Sequence, residues 1–342
     1  MESKNNQRRN YAMDAMKLVF MLVIIVHHSG YLKSHLFHGY MAVDFFFMTS
    51  GYMLWRTLQT KRELSTGGYF VTRLKKLYPH YFFSFLVMMI STSVYRSGGL
   101  NIRILIRSIP ELLLIQNLGI FDGGVNYPCW YMSVLIFASV FIFFLGKKLS
   151  TKMFNLLAVI GAAVSYSFIL VISGGSMENF ACIGPFYLPF WRGVAGLFVG
   201  AGIYQMHECW GAWLQNYRGI CNCLEWILLA TVLALMCVPG AVDGLIALAI
   251  AGLLIFSARK SSSMNAVSEN ILVSTCICYE YAAFLNHAFV LGMYRKTIAA
   301  WTNFPALINI IFVIILIGIY SVCTEKLISM NMITVRGKKH NQ

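Results

Sequence analysis

One apolar stretch, NYAMDAMKLVFMLVIIVHHSG at 10–30, opens with an acid and a base and closes with two histidines. An imidazole takes up and returns a proton near neutral pH without extreme tuning, so a histidine here is a candidate general base for a hydroxyl. Lys17 and His28 are eleven steps apart. At about 100° per residue that is three turns plus about 20°, which puts both on one helix face with Asp14, Met21, Ile24 and Ile25 and turns His27 about 80° away. The rise separates Lys17 from His28 by about 16 Å, half the hydrocarbon core of a bilayer. Ionisable groups at that depth are costly and face a bundle interior or a watery cavity, so the stripe is a candidate reaction path with His28 and Lys17 in it. The alternative is that Lys17 snorkels to the cytoplasmic surface and the histidines mark the far interface.

Other residues of catalytic or binding type follow. Asp44, at the start of the second apolar run, either orients an imidazole as in a catalytic dyad or caps its helix. Ser50 lacks a G-x-S-x-G turn and reads as a packing residue. Arg73, Lys75 and Lys76 precede an apolar run and would suit the phosphates of a ligand, although on charge alone membrane topology or anionic lipid is the simpler account. Trp130 is of the type expected at an interface. Arg192 is either an interfacial anchor or a buried functional cation. Glu280 and His287, seven residues apart, lie about 20° from a common face. An acid that deep needs a partner, and His287 alone reads as a packing histidine.

The elements that must position these groups are membrane helices. With 58% hydrophobic and 12% charged residues and a mean hydropathy of +0.67, a chain of 342 residues is too apolar for a soluble domain. Runs near twenty apolar residues predict an all-α, polytopic helical bundle of about ten transmembrane helices, at 11–31, 40–58, 77–95, 130–145, 154–173, 188–207, 223–238, 242–257, 271–293 and 304–328. The segment 101–121, broken by Arg103, Arg107, Pro110 and Glu111, reads as interfacial or re-entrant. The formal charge of +14 is explained by basic cytoplasmic loops, so no nucleic-acid partner is implied. Lys4, Arg8 and Arg9, the 56–76 loop, Lys147, Lys148, Lys152, Arg259, Lys260, Arg336, Lys338 and Lys339 would face the cytoplasm. The outer side keeps Lys33, Arg96, Arg103, Arg107, Arg295 and Lys296. Both termini are then cytoplasmic in a multi-pass protein of the plasma (inner) membrane, in contact with membrane lipid. The first run lacks a small-residue cleavage pattern and is expected to stay as an anchor. Nine cysteines without zinc-site spacing predict free, buried thiols and no metal. No repeat divides the chain, so 1–342 is expected to form a single membrane domain.

Several segments carry a resemblance to the acyltransferase-3 family of integral-membrane acyltransferases. A basic residue, ten intervening residues and a histidine in the first span is its signature, matched by Lys17 and His28. GYMAVDFFFMTSGYML at 39–54 is similar to its second motif, near G-V-D-x-F-F-x-x-S-G-F. Arg73, Lys76, Tyr78 and Pro79 resemble a basic element leading into a Y-P pair, with Lys76 in place of an arginine. YPCWYMS at 127–133 resembles a W-x-L segment, without the glutamate common after the tryptophan. Arg192 fits a recurrent arginine before a glycine-bearing span. YEYAAFLNH at 279–287 resembles Y-x-x-Y-L-x-H, with Phe284 at the second tyrosine.

The resemblance implies a membrane O-acyltransferase that moves acetyl from cytoplasmic acetyl-CoA to a hydroxyl of a cell-surface or lipid-linked glycan. It implies His28, Asp44 and Lys17 as catalytic residues, Arg73 and Lys76 at the donor, and Trp130, Arg192, Glu280 and His287 at the acceptor. The rivals are a secondary transporter or flippase, which would call for paired repeats, and a non-catalytic assembly partner in glycan export.

Overall fold

The computed structural model describes residues 11–116, 118–119, 124–183 and 186–339, and for 186 and 330–339 the backbone alone. Helices α1 (Tyr11–Ser29), α2 (Ala42–Thr60) and α3 (Thr66–Ser97) are followed by two short helices, α4 (Ile102–Arg107) and α5 (Ile109–Leu112). Next come α6 (Trp130–Lys148), α7 (Thr151–Ile172), α8 (Leu188–Asn216), α9 (Arg218–Leu235) and α10 (Asp243–Ser257). The short α11 (Met264–Glu269) precedes α12 (Ile271–Lys296), α13 (Ile298–Trp301) and α14 (Ala306–Lys339). Between α7 and α8, Cys182–Ile183 and Phe186–Tyr187 form a two-residue antiparallel ladder in an otherwise helical bundle.

Each of the ten expected spans meets a helix, and six of these helices are long and apolar enough on their own to cross a membrane. The four that fall short are α2, α8, α10 and α12. Of these, α10 is short at 15 residues, while α2, α8 and α12 carry Asp44, Arg192 and the Glu280/His287 pair. In α2, α8 and α12 such groups dilute the apolarity, whereas α1 and α9 remain apolar enough to span despite Asp14, Lys17, His28 and Glu225. At six and four residues, α4 and α5 are too short to span, in line with the non-spanning reading of 101–121, whose end lies partly outside the described residues. The basic clusters at 4–9 and 336–339 also lie outside the residues whose side chains are described.

Two expectations need correction. Most of the expected 56–76 loop is helical: residues 56–60 close α2, and the Ser65 hydroxyl, which accepts from the Gly68 amide at 3.0 Å, starts a single 32-residue helix, α3. That helix is about 48 Å long, more than a bilayer core, so its early turns project beyond the apolar zone and carry Arg73 and Lys76 on neighbouring turns. None of the nine cysteines is in a disulfide, but only Cys129 and Cys221 are buried; of the exposed seven, five lie on helices, Cys182 in the short ladder and Cys237 in the turn after α9.

The closest packing joins α2 to α8. A Cβ on Gly200 would overlap the Met48 carbonyl, and one on Gly51 would overlap that of Leu197, so only glycine lets these backbones meet. α1 stands in the middle of the bundle, against α2, α10, α11, α12 and α14.

Candidate active site

Both ends of α1 are clamped by side chains from elsewhere. Its first turn is held by the Asn265 side chain, which accepts from the Ala12 amide at 2.9 Å, and by the Ser268 hydroxyl, which donates to the Tyr11 carbonyl at 2.5 Å. At the far end, Arg295 donates to the carbonyls of His28 and Ser29 at 2.7 and 2.9 Å. Those carbonyls have no partner within the helix, and a cation at a helix C-terminus also suits its dipole. Lys17 donates to Asp14 at 2.9 Å, so the stripe opens on an ion pair one helical turn long.

The clamp aims the two histidines apart, as the helical angle predicts. The His27 ring faces the loop before α2, with Tyr40 at 5.7 Å and Gly39 beneath it. The His28 ring faces α12 and the start of α6: it stacks on His287 at 5.2 Å and 21°, with Tyr127 edge-on at 5.2 Å. His287 is fully buried. Its Nδ1 lies 2.6 Å from the Phe284 carbonyl, which can only accept, so the hydrogen sits on Nδ1 and the lone pair on Nε2. That Nε2 is buried with no hydrogen-bond partner, a state that native interiors seldom leave unfilled.

Tyr127 reaches His28 through residues that the sequence reading missed. The Glu111 carboxylate accepts from the Val125 and Asn126 amides at 2.6 and 3.0 Å, which binds α5 to the turn that presents Tyr127. Burial is the larger influence on this acid and raises it from 4.5 to about 7, against the two amides. Asn126 donates to the Ser84 hydroxyl and the Leu285 carbonyl, both at 3.0 Å, and so ties the turn to α3 and α12. The signal in the sequence is an acid within an apolar segment, which by itself marks only a break in a span.

Asp44 and Arg192 do not join His28. Asp44 accepts from Arg192 Nη2 at 2.5 Å and Nε at 3.1 Å, and from the Tyr166 hydroxyl at 3.0 Å. Arg192 donates further to the carbonyls of Met177 and Tyr40, both at 3.1 Å. Both side chains are buried. The dyad expected between Asp44 and His28 is therefore not formed, because a planar guanidinium one helix away offers the carboxylate two donors where an imidazole offers one. Asp44 does not cap α2 either. Arg192 is no interfacial anchor but half of a buried ion pair.

Towards the other end of the path, Arg73 is half-buried, its guanidinium carbon 5.8 Å from the Tyr69 ring. Its Nε and Nη2 are buried without hydrogen-bond partners. Tyr131 lies within electrostatic reach of Arg73 and Glu280. Lys76, a turn further on, is exposed. Aromatic rings fill the space from here to His28: Phe284 lies 5.4 Å from Tyr131 and 6.0 Å from His287. Trp130 stands to one side, against Phe180 at 5.4 Å and Phe47 at 6.1 Å. The structure thus brings His28 and His287 together and places Arg73 and Glu280 about Tyr131, while Asp44, Arg192 and Trp130 stand apart from the histidines.

No curated protein and no solved structure matches the chain. The model of an acyltransferase domain family does, over residues 10–324, nearly the whole length. That match takes in the helix from Lys17 to His28, the α2 motif and the α12 histidine alike, and on it the chain belongs to the acyltransferase-3 family, whose members are membrane acyltransferases.

Proposed function

We propose that this membrane acyltransferase, acting as a single membrane domain with both termini in the cytoplasm of a plasma-membrane cell envelope, transfers acetyl from acetyl-CoA to a hydroxyl of a cell-surface or lipid-linked glycan. The observation that carries the reading is a pair of unfilled polar groups on one aromatic column. Arg73 has buried donors without an acceptor, and His287 has a buried acceptor without a donor. An anionic donor molecule satisfies the first and a hydroxyl the second.

Arg73 holds a phosphate of coenzyme A and Lys76 adds a screened charge at the cytoplasmic mouth. Lys17, neutralised by Asp14, lines the same approach. At the other end the acceptor hydroxyl gives its proton to His28 while its oxygen attacks the thioester carbonyl. The C–S bond then breaks, and the imidazolium returns the proton to the departing sulfur. His287, fixed as its Nδ1–H tautomer by the Phe284 carbonyl, offers Nε2 to an acceptor hydroxyl and fixes its approach. Glu280 orders the inner half of the column, and Trp130 closes its flank. Asp44 and Arg192 hold the Tyr40 backbone and the Met177 loop and so position His27 and its surroundings from behind.

The test is direct. Purified protein in detergent is given acetyl-CoA labelled in the acetyl group, and coenzyme A release is followed with and without a glycan acceptor. Release that rises with acceptor, with label recovered in the glycan as an ester, is the expected result. Equal turnover of longer acyl thioesters would remove the acetyl assignment, and no release with any thioester would remove the donor.

A further inference from the structure

A cavity of about 330 Å³ opens between the last turns of α3 and α12 and the turn at Gly124 and Val125. It adjoins the histidine site at three points. Ala288, in its wall, follows His287. Val125 is held by Glu111 two residues before Tyr127. Lys296, also in its wall, follows the Arg295 that clamps the end of α1 at His28.

Two cations, Arg96 and Lys296, line this cavity, and among the described residues no acidic side chain does. Among the described residues no carboxylate lies within ion-pair distance of either. Lys296 Nζ rests 3.0 Å above the Tyr95 ring, a contact that holds the ammonium in place without neutralising it. The cavity lies at the His28 end of α1, the outer end in the proposed orientation. Lys and Arg are scarce on that side for topological reasons, so topology does not account for a convergent pair. Ser91 and Thr92 add hydroxyls to the wall.

We infer that this cavity seats a negative charge on the acceptor, a carboxylate or phosphate borne by the saccharide whose hydroxyl is acylated at His28. The inference rests on the acyltransferase reading of His28 and specifies its substrate as an acidic glycan. A phospholipid headgroup offers the same phosphate chemistry. The hydroxyl-bearing wall and the continuity with the Tyr127 turn favour a saccharide, whose hydroxyls can pair with Ser91 and Thr92.

Binding tests this separately from turnover, so coenzyme A release continues to judge the acyltransferase reading alone. The full chain in phosphatidylcholine nanodiscs is dialysed against a labelled glucuronate-containing disaccharide and against its glucose-only counterpart. The acidic sugar should bind about ten-fold more tightly, and the preference should vanish in high salt, as for partly exposed charges. Arg96→Gln/Lys296→Gln should abolish the preference without a change in melting temperature. Equal binding of the two sugars by the unaltered protein, or a preference that survives in the double variant, overturns the inference. A third arm uses phosphatidylglycerol nanodiscs. If the unaltered protein loses there the preference that it shows in phosphatidylcholine, the anionic headgroup holds the cavity against the sugar, the cavity is a headgroup seat and the inference falls.

Discussion

Two buried polar centres stand on either side of α2 and differ in how completely they are filled. Around Asp44 and Arg192 a carboxylate, a guanidinium, a phenol and two backbone carbonyls meet, and the donors of Arg192 are taken up by oxygens of its own chain. Around His28 and His287 the rings touch, yet His287 Nε2 has no donor and the His28 ring makes no hydrogen bond among the described residues. A saturated centre has nothing to offer a substrate and its geometry is fixed. An unsaturated one costs stability unless a ligand completes it. On the proposed function the first centre is support and the second carries the chemistry, although both contain residues of catalytic type.

The largest effect expected is at the open centre. General-base assistance is worth about 10² to 10⁴-fold, so His28→Ala should lower turnover by that factor with an unchanged melting temperature. His27→Ala, which alters only the face towards Tyr40, should cost far less. Steady-state coenzyme A release checks both. A full-rate His28→Ala beside a well-folded, inactive His27→Ala would reverse the assignment of the two rings.

At the saturated centre the expected loss is of stability. Removing one partner of a buried pair strands the other charge and typically costs about 3–5 kcal/mol, so Asp44→Ala should unfold or fail to accumulate. Asp44→Leu combined with Arg192→Met removes both charges and should recover much of the melting temperature. The informative exception would be an Asp44→Asn protein as stable as the original yet inactive, because that behaviour belongs to a catalytic carboxylate and would dissolve the contrast between the centres.

The legible part of this molecule was what periodicity encodes. Apolar runs mark helices that the structure has, though not always their ends, and the angle per residue turns His27 away from the neighbours of His28, as observed. The partner of Asp44 was not legible, because it lies 148 residues away on α8 and pairing at that range leaves no local period. Glu111 was hidden for a related reason: its carboxylate is satisfied by backbone amides, which every sequence supplies equally. The start of α3 was misplaced because hydropathy marks where a helix enters lipid, whereas Ser65 marks where it begins.

Glu111 lies outside both centres but holds the turn that completes the open one. Its folded state binds a proton more tightly than the unfolded chain does, since burial raises it to about 7. Between about pH 4.5 and 7 the folded protein carries the extra proton, so stability should fall as pH rises through that window and level off above it. Glu111→Gln removes the titration and also one acceptor facing an amide, at a cost of about 1–3 kcal/mol. Melting curves should therefore show the variant well below the unaltered protein at pH 5 and closer to it at pH 8. Parallel curves would mean that Glu111 stays ionised throughout.

The smallest effect lies at the far end of the column, where unfilled groups recur but nearer to water. If Arg73 is open for the same reason as His287, its contribution should appear in donor binding and not in the chemical step. A charge-assisted hydrogen bond is worth about 1.5–3 kcal/mol when desolvated, and an exposed charge such as Lys76 adds little. Arg73→Ala/Lys76→Ala should raise the acetyl-CoA KM about ten-fold and change kcat much less, with most of the loss already present in Arg73→Ala. Arg73→Lys should recover only part of it, because an ammonium cannot present the planar fork that the unpartnered Nε and Nη2 provide. Added salt should weaken donor binding by the unaltered protein more than by the double variant. An unchanged KM in the double variant would make Arg73 an element of topology, and an unfilled buried donor would then no longer mark a ligand site in this bundle.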